Sequence, residues 1–125
     1  MIYSVFLGHD DFASSSIKAA ELVIGKQTDY SILSNSLKSL DDIEKELVSL
    51  VDKHIEGQLF LFVDFYGSSF STPVLRIRNN FPDRIFVIFG YNLPVVIDFF
   101  VHKKTKEGRT LVEKLLSIGK GAVRE

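Results

Sequence analysis

The sequence has no cysteine and no marked excess of charge of either sign. Without cysteine the chain has no disulfide bond, no thiolate ligand for a metal ion and no thiol nucleophile, and it shows no sign of an oxidising compartment. Its 15 basic and 16 acidic residues give a net charge of −1. Because no run of lysine and arginine is available to neutralise a phosphate backbone, nucleic acid is not expected as a partner.

A long uninterrupted hydrophobic run is also absent. The apolar opening, residues 1–7, has no basic region before it and reaches Gly8 too soon for a signal peptide, so it predicts a buried strand. The most apolar later stretch, residues 85–101, is broken by a glycine, an asparagine, a proline and an aspartate, whereas a membrane span needs about 20 continuous apolar residues. We therefore expect a cytoplasmic protein.

What the sequence does contain is ordinary globular composition, with 46% hydrophobic and 25% charged residues. At this length we expect one domain that spans residues 1–125. Segments rich in valine, isoleucine, phenylalanine and tyrosine predict strands at residues 2–7, 29–33, 58–63 and 84–89. Most of these segments are continuous apolar runs, which favours strands covered on both faces, as in a parallel sheet.

Apolar residues at helical spacing alternate with these strands. Ser39 with Asp42 three residues later predicts a capping box for the second helix, and Asp10 or Asp11 is the candidate cap of the first. The predicted helices cover residues 12–26, 40–54, 69–80, 93–102 and 109–118. This alternation predicts an α/β three-layer sandwich with a mainly parallel sheet, strand order 2-1-3-4 and helices on both faces.

Polar residues follow the predicted strands where the strands end. In such a sheet the functional crevice lies beyond the carboxyl ends of the strands, and His9 follows the first strand while Asp64 follows the third. An imidazole offers a lone pair for attack without a separate base. A carboxylate on its other nitrogen fixes the tautomer and stabilises the cation that forms. The pattern therefore predicts a nucleophilic His9 supported by Asp64.

A loop of glycine and serine follows Asp64 and leads into a predicted helix. Gly67, Ser68 and Ser69 place backbone N–H groups and a hydroxyl at a helix N-terminus, where phosphate binds. Phe65 and the other aromatic residues of the strand-end loops are core residues by default, yet several also suit a partner-docking surface around the site. The docking candidates are Phe12, Tyr66, Phe70, Tyr91 and Asn92.

The other two histidines have simpler explanations. His54 lies on the apolar stripe at the end of the second helix, which is typical of a packed or capping residue, and His102 is expected to be solvated among lysines. Asp10 and Asp11 are more typical of helix caps than of ligands.

Together these residues resemble the IIA component of the mannose family of the bacterial phosphoenolpyruvate-dependent sugar phosphotransferase system (PTS). The likeness runs nearly from end to end, and it depends on the order and spacing of its pieces. The matching segments are residues 8–9 with 12–13, residues 19–27, residues 59–64 with Gly67 and Ser69, residues 92–94 and residues 119–120.

The resemblance implies a phosphoryl carrier that uses neither a cofactor nor a metal. By this likeness, His9 accepts phosphate from the phosphocarrier protein HPr and passes it to a histidine of the IIB component. Asp64 supports the histidine, and Ser69 belongs to the phosphate-binding loop. The membrane components IIC and IID take part only indirectly, through a complex at the inner face of the membrane. Proteins of this kind are usually homodimers.

The sequence departs from the family pattern around this site. The usual glycine after the histidine is Asp10, the second glycine of the loop is Ser68, and the proline of the loop is Phe70. The phenylalanine and asparagine that usually follow are Ser71 and Thr72. Negative charge at Asp10 opposes an incoming phosphate, and a side chain in place of a loop glycine narrows access to the backbone.

Two other functions remain open on the residues alone. In a receiver-like signalling domain, Asp10, Asp11 and Asp64 bind Mg²⁺ and Asp64 takes the phosphate, although no lysine stands after a fifth strand. In a flavodoxin-like binding or regulatory module, Tyr66 and Tyr91 are the candidates for stacking on a flavin.

Overall fold

The computed structural model describes residues 1–54 and 56–125, and strands alternate with helices along the chain. The strands are β1 (Ile2–Gly8), β2 (Tyr30–Ser34), β3 (Gln58–Val63) and β4 (Ile85–Phe89). The helices are α1 (Phe12–Ile24), α2 (Leu40–Lys53), α3 (Ser71–Asn80), α4 (Leu93–His102) and α5 (Gly108–Gly121). Every predicted strand and helix is present. Within the described part of the chain, none of the helices is both long and apolar enough to cross a membrane.

The four strands form one parallel sheet in the order β2-β1-β3-β4, which confirms the predicted topology. β1 lies between β2 and β3, and its register pairs Leu7 with Leu33 on one side and with Val63 on the other. Because neighbouring parallel strands end at the same edge of the sheet, the residues that follow β1 and β3 lie side by side. The register alone therefore brings His9 close to Asp64.

Alternate side chains of the strands enter two apolar cores, one on each face of the sheet. The helices α1, α4 and α5 cover the face that carries Phe6 and Phe62, whereas α2 and α3 cover the face that carries Leu7 and Leu61. The rings of Phe6 and Phe62 are fully buried, with centroids 4.4 Å apart. Burying one such side chain contributes about 2 to 3 kcal/mol, so the two cores give the strand ends rigid support.

The helices begin and end within a few residues of the predicted positions. The predicted capping box of α2 is confirmed, because Ser39 Oγ accepts the Asp42 N–H at 3.1 Å and the Asp42 carboxylate accepts the Ser39 N–H at 3.4 Å. Asp11 occupies the N-cap position of α1, but its side chain makes no capping hydrogen bond, and Asp10 lies outside the helix. The third helix begins later than predicted, at Ser71.

The two histidines away from the predicted site have structural roles. His54 ends α2 and stacks on the ring of Tyr3 with centroids 3.6 Å apart, as expected of a packed or capping residue. His102 is partly buried in α4, and its Nε2 lies 3.1 Å from Oδ1 of Asp98, one helical turn earlier. The prediction of a solvated His102 is therefore wrong, because the histidine has a carboxylate partner on its own helix.

Candidate functional site

The imidazole of His9 and the carboxylate of Asp64 form a hydrogen-bonded pair at the carboxyl edge of the sheet. His9 Nδ1 lies 2.6 Å from Asp64 Oδ2, and the backbone N–H of His9 donates to the same oxygen at 3.0 Å. The other carboxylate oxygen accepts the backbone N–H of Phe65 at 3.0 Å. These contacts fix the Asp64 side chain, which is only 8% exposed.

The pair distinguishes the two ring nitrogens of His9. A carboxylate only accepts hydrogen bonds, so the neutral ring carries its proton on Nδ1 and keeps its lone pair on Nε2. The His9 side chain is 40% exposed, which leaves room for a reacting group to approach. The arrangement is therefore that of a nucleophilic imidazole whose tautomer is fixed by a carboxylate.

Two phenylalanine rings pack against the imidazole. Phe65 stacks on His9 with ring centroids 5.4 Å apart, and Phe70 lies at 5.0 Å with its ring tilted by 57°. Phe70 is fully buried in the core covered by α2 and α3, whereas Phe65 is 51% exposed. The default expectation of a core residue therefore holds for Phe70 but not for Phe65, and the burial of Phe70 does not fit its predicted docking role.

The loop between Asp64 and α3 is closed by its own hydrogen bonds. Gly67 has a φ of +90°, which favours glycine, and its N–H donates to Ser71 Oγ at 3.1 Å. The N–H of Ser68 donates to the carbonyl of Phe65 at 3.3 Å. The Ser68 hydroxyl is buried and has no partner among the described residues. Gly67 and Ser68 therefore shape the loop. Their N–H groups already have acceptors, which does not fit the predicted role of these groups in binding phosphate.

Near the start of α3, the backbone N–H of the exposed Ser69 remains for an anion. Across residues 1–54 and 56–125 it donates to no acceptor; the N–H of Phe70 donates to none either, but Phe70 is fully buried. Ser69 lies just before the first turn of α3, where the helix dipole favours negative charge. The Ser69 side chain is also exposed. Of the three predicted loop residues, Ser69 is the one that this geometry presents to a ligand.

The remaining aromatic candidates differ in burial. Phe12 and Tyr66 are exposed, as a docking surface requires. Tyr91 is buried, and its hydroxyl donates to the carbonyl of Leu7 at 3.1 Å. Burial, together with the nearby Asp64 carboxylate, raises the pKa of Tyr91 above the ordinary tyrosine value. Tyr91 is therefore a neutral donor that holds the end of β1, and the predicted docking and flavin-stacking roles do not fit it.

Asn92 holds two helices together. Its side-chain oxygen accepts the N–H of Val95 at 3.2 Å, which caps α4, and its amide donates to the carbonyl of Gly119 in α5 at 3.2 Å. The helices approach so closely that a Cβ on Gly119 would lie 2.8 Å from Val95 Cγ2. The position of Asn92 is thus explained by its capping and bridging contacts, not by the predicted docking role.

The carboxylates of the receiver-like alternative do not converge. In the part of the chain that the structure describes, no group of three histidine, cysteine, aspartate or glutamate side chains is placed to hold a metal ion. Asp64 is hydrogen-bonded to His9, and the Asp10 carboxylate lies 3.3 Å from the hydroxyl of Ser36. The geometry therefore favours a histidine site over a magnesium site.

A polar segment at the end of β2 also belongs to the site and was not among the predicted residues. Residues 34–36 hydrogen-bond to Asp10, the residue after His9. The sequence could have indicated this segment. Functional crevices lie beyond the carboxyl ends of parallel strands, and residues 34–36 stand at the carboxyl end of the second strand.

Several solved structures share this fold over nearly the whole chain. The phosphotransferase system component EIIA from Streptococcus agalactiae is 19% identical, with a TM-score of 0.87 over 100% of this chain and 97% of that one. The PTS IIA protein associated with the fucose utilization operon from Streptococcus pneumoniae is 18% identical, with a TM-score of 0.85 over 99% and 92%. The mannose/sorbose specific IIA subunit from Enterococcus faecalis is 17% identical, with a TM-score of 0.81 over 98% and 92%. At these identities the likeness establishes the fold alone.

Family membership follows from the sequence match. No curated protein sequence matches the chain. Residues 3–116 match the protein family described as the PTS system fructose IIA component, and this range includes His9, Asp64 and the loop that follows Asp64. The chain therefore belongs to the PTS fructose IIA family and is a component of a sugar phosphotransferase system.

Proposed function

We propose that the protein carries a phosphoryl group on Nε2 of His9, which it receives from phosphorylated HPr and passes to a IIB component. The proposal rests on one observation, the 2.6 Å contact between His9 Nδ1 and Asp64 Oδ2, which leaves the lone pair on Nε2. Family membership supplies the class of reaction. The 40% exposure of the His9 side chain lets a partner protein reach it.

In the proposed transfer, Nε2 of His9 attacks the phosphorus in line while the P–N bond to the HPr histidine breaks. The electrons of that bond stay on the HPr nitrogen, and a new N–P bond forms on His9. The ring becomes cationic because Nδ1 keeps its proton, and the carboxylate of Asp64 stabilises this charge. Transfer to IIB follows the same course, since the electrons of the N–P bond then return to Nε2.

The phosphoryl oxygens are proposed to bind at the start of α3. The N–H group of Ser69 lacks an acceptor among the described residues, and the Ser69 side chain is exposed beside it. These donors, together with the helix dipole, stabilise the negative charge on the phosphoryl oxygens in the transition state of the transfer. The protein thus contributes positioning and charge stabilisation.

Exposed aromatic rings near the imidazole form the proposed docking surface for both partners. Phe65 stacks on His9, Phe12 follows shortly after it in the chain, and Tyr66 is 75% exposed. HPr and IIB bind this same face in turn, because both must reach Nε2. We place the protein in the cytoplasm as one domain of residues 1–125 that acts as a homodimer, with IIB linking it to the membrane components IIC and IID.

The experiment that tests this function is labelling of the purified chain by phosphorylated HPr, followed by intact-mass analysis. His9→Gln removes the nucleophile, and His102→Gln is the matched control because His102 also contacts a carboxylate. We expect the wild type and His102→Gln to gain one phosphoryl group and His9→Gln to gain none. The label should survive alkali and be lost in acid, as phosphohistidine is. Labelling of His9→Gln, or loss of the label in alkali, would overturn the proposal.

A further inference from the structure

The residue after His9 is held by the last residue of β2 and the loop that follows it. The N–H of Asp10 donates to Asn35 Oδ1 at 3.1 Å, and the Ser34 hydroxyl donates to the Asp10 carbonyl at 2.6 Å. The Ser36 hydroxyl donates to Asp10 Oδ1 at 3.3 Å. Both backbone polar groups of Asp10 and its carboxylate therefore have partners in the single segment of residues 34–36.

These contacts stabilise a conformation that aspartate seldom adopts. Asp10 has a φ of +51°, which lies in the left-handed region. In this region the Cβ of most residues is too close to the backbone, whereas glycine has no Cβ. Aspartate enters the region as a single residue with local hydrogen bonds, and here residues 34–36 supply them. These contacts thus allow a residue other than glycine at this position.

The conformation of Asp10 bears on His9 because the two residues share a peptide bond. On its other side, the backbone N–H of His9 is fixed to Asp64 Oδ2 at 3.0 Å. The carbonyl of His9 accepts the N–H of Phe12 at 3.1 Å. If Asp10 left the left-handed region, the peptide between it and His9 would turn, and the 2.6 Å contact of Nδ1 with Asp64 would lengthen.

We propose that Asn35 is a positioning residue for His9. By holding the N–H of Asp10, it keeps Nδ1 of His9 on Asp64 and Nε2 directed toward the incoming phosphoryl group. Ser36 assists by drawing the Asp10 carboxylate toward the β2 loop. The inference rests on the proposed function, because the direction of Nε2 matters only if Nε2 is the atom that accepts the phosphoryl group.

The first measurement is independent of phosphoryl transfer. Long-range proton–nitrogen NMR of the His9 ring, at a pH where the ring is neutral, distinguishes a proton on Nδ1 from one on Nε2. The wild type should show the Nδ1–H form, whereas Asn35→Ala should show a mixture of both forms. Asn35→Asp keeps an oxygen acceptor for the Asp10 N–H and should restore the Nδ1–H form. Asn80→Ala, exposed at the end of α3, is the matched control and should match the wild type.

The second measurement is the rate of labelling by phosphorylated HPr. We expect Asn35→Ala to slow labelling by about tenfold, because a small misplacement of a reacting group reduces rates by one to two orders of magnitude. Thermal unfolding verifies that each variant is folded. If Asn35→Ala does not fold, Ser36→Ala takes its place, with the same direction of change and a smaller size.

The outcomes separate this inference from the proposed function. An unshifted His9 spectrum in the Asn35 variant overturns the inference whatever the rate, because Asn35 then acts elsewhere. A shifted spectrum with an unchanged rate overturns it as well. If the spectrum shifts but phosphorylated HPr labels not even the wild type, the proposed function fails while the control of the ring by Asn35 stands.

Discussion

Replacing Asp64 by asparagine separates the two contributions of its carboxylate. The asparagine oxygen can still accept the Nδ1–H of His9, so the tautomer is kept, whereas the negative charge beside the cationic ring is lost. A hydrogen bond to a charged group contributes about 1.5 to 3 kcal/mol and one between neutral groups about 0.5 to 1.5 kcal/mol, so the charge itself contributes about 1 to 1.5 kcal/mol. Because the His9 side chain is 40% exposed, solvent screens part of the charge, and the lower end of that range applies. Since about 1.4 kcal/mol corresponds to a tenfold change in rate, we expect phosphorylation to slow by about fivefold.

The assay is a single-turnover reaction with phosphorylated HPr, quenched at intervals and read as the fraction of labelled chain. Asp64→Ala also removes the hydrogen-bond acceptor and should be slower than Asp64→Asn. Asp98→Asn is the matched control, because Asp98 pairs with a histidine outside the site, and its rate should equal that of the wild type. An Asp64→Asn rate within about twofold of the wild type would refute the reasoning, because stabilisation of the cationic ring would then contribute almost nothing.

Two further substitutions test the loop and the packing. Asp10→Gly places glycine at a φ of +51° and removes a negative charge near the site, so labelling should be several-fold faster at low salt, with a smaller gain at high salt. Labelling rates at two ionic strengths check this, and an equal gain at both would exclude the charge as the cause. Gly119→Ala places a Cβ 2.8 Å from Val95 Cγ2 and should lower the free energy of unfolding in urea by about 1 to 3 kcal/mol. In the same helix, a Cβ on Gly121 would meet nothing within 4 Å, so Gly121→Ala is the control, and an equal loss in both variants would contradict the packing argument.

The fold and the proximity of His9 to Asp64 could be predicted because both depend on the order and periodicity of strands and helices along the whole chain. Continuous apolar strands separated by amphipathic helices specify a parallel sheet. Once β1 neighbours β3, parallel register places the residues after the two strands together, as the pairing of Leu7 with Val63 shows. No side-chain detail is needed for either conclusion.

The finer features of the site depend on loop conformation, which no periodic pattern encodes. Phe65 and Phe70 have the same side chain and lie in the same loop, yet the turn at Gly67 leaves the first at the surface and carries the second into the core. The nitrogen of His9 that faces Asp64 depends on the rotamer of the ring. The hydrogen bonds of Asp10 depend on a segment distant in sequence, and neither the predicted cap nor the predicted Mg²⁺ ligand anticipates them.

The departures from the family pattern in the loop change the site without removing its donors. Ser68 replaces a glycine, but its φ is not positive, so the backbone there does not require glycine. Phe70 replaces a proline, but the residue is fully buried, so the N–H that it adds is not exposed to a ligand. Ser69 is exposed, and its N–H has no acceptor among the described residues. The departures at positions 68 and 70 therefore leave in place Ser69, the residue of the loop that the geometry presents to an anion.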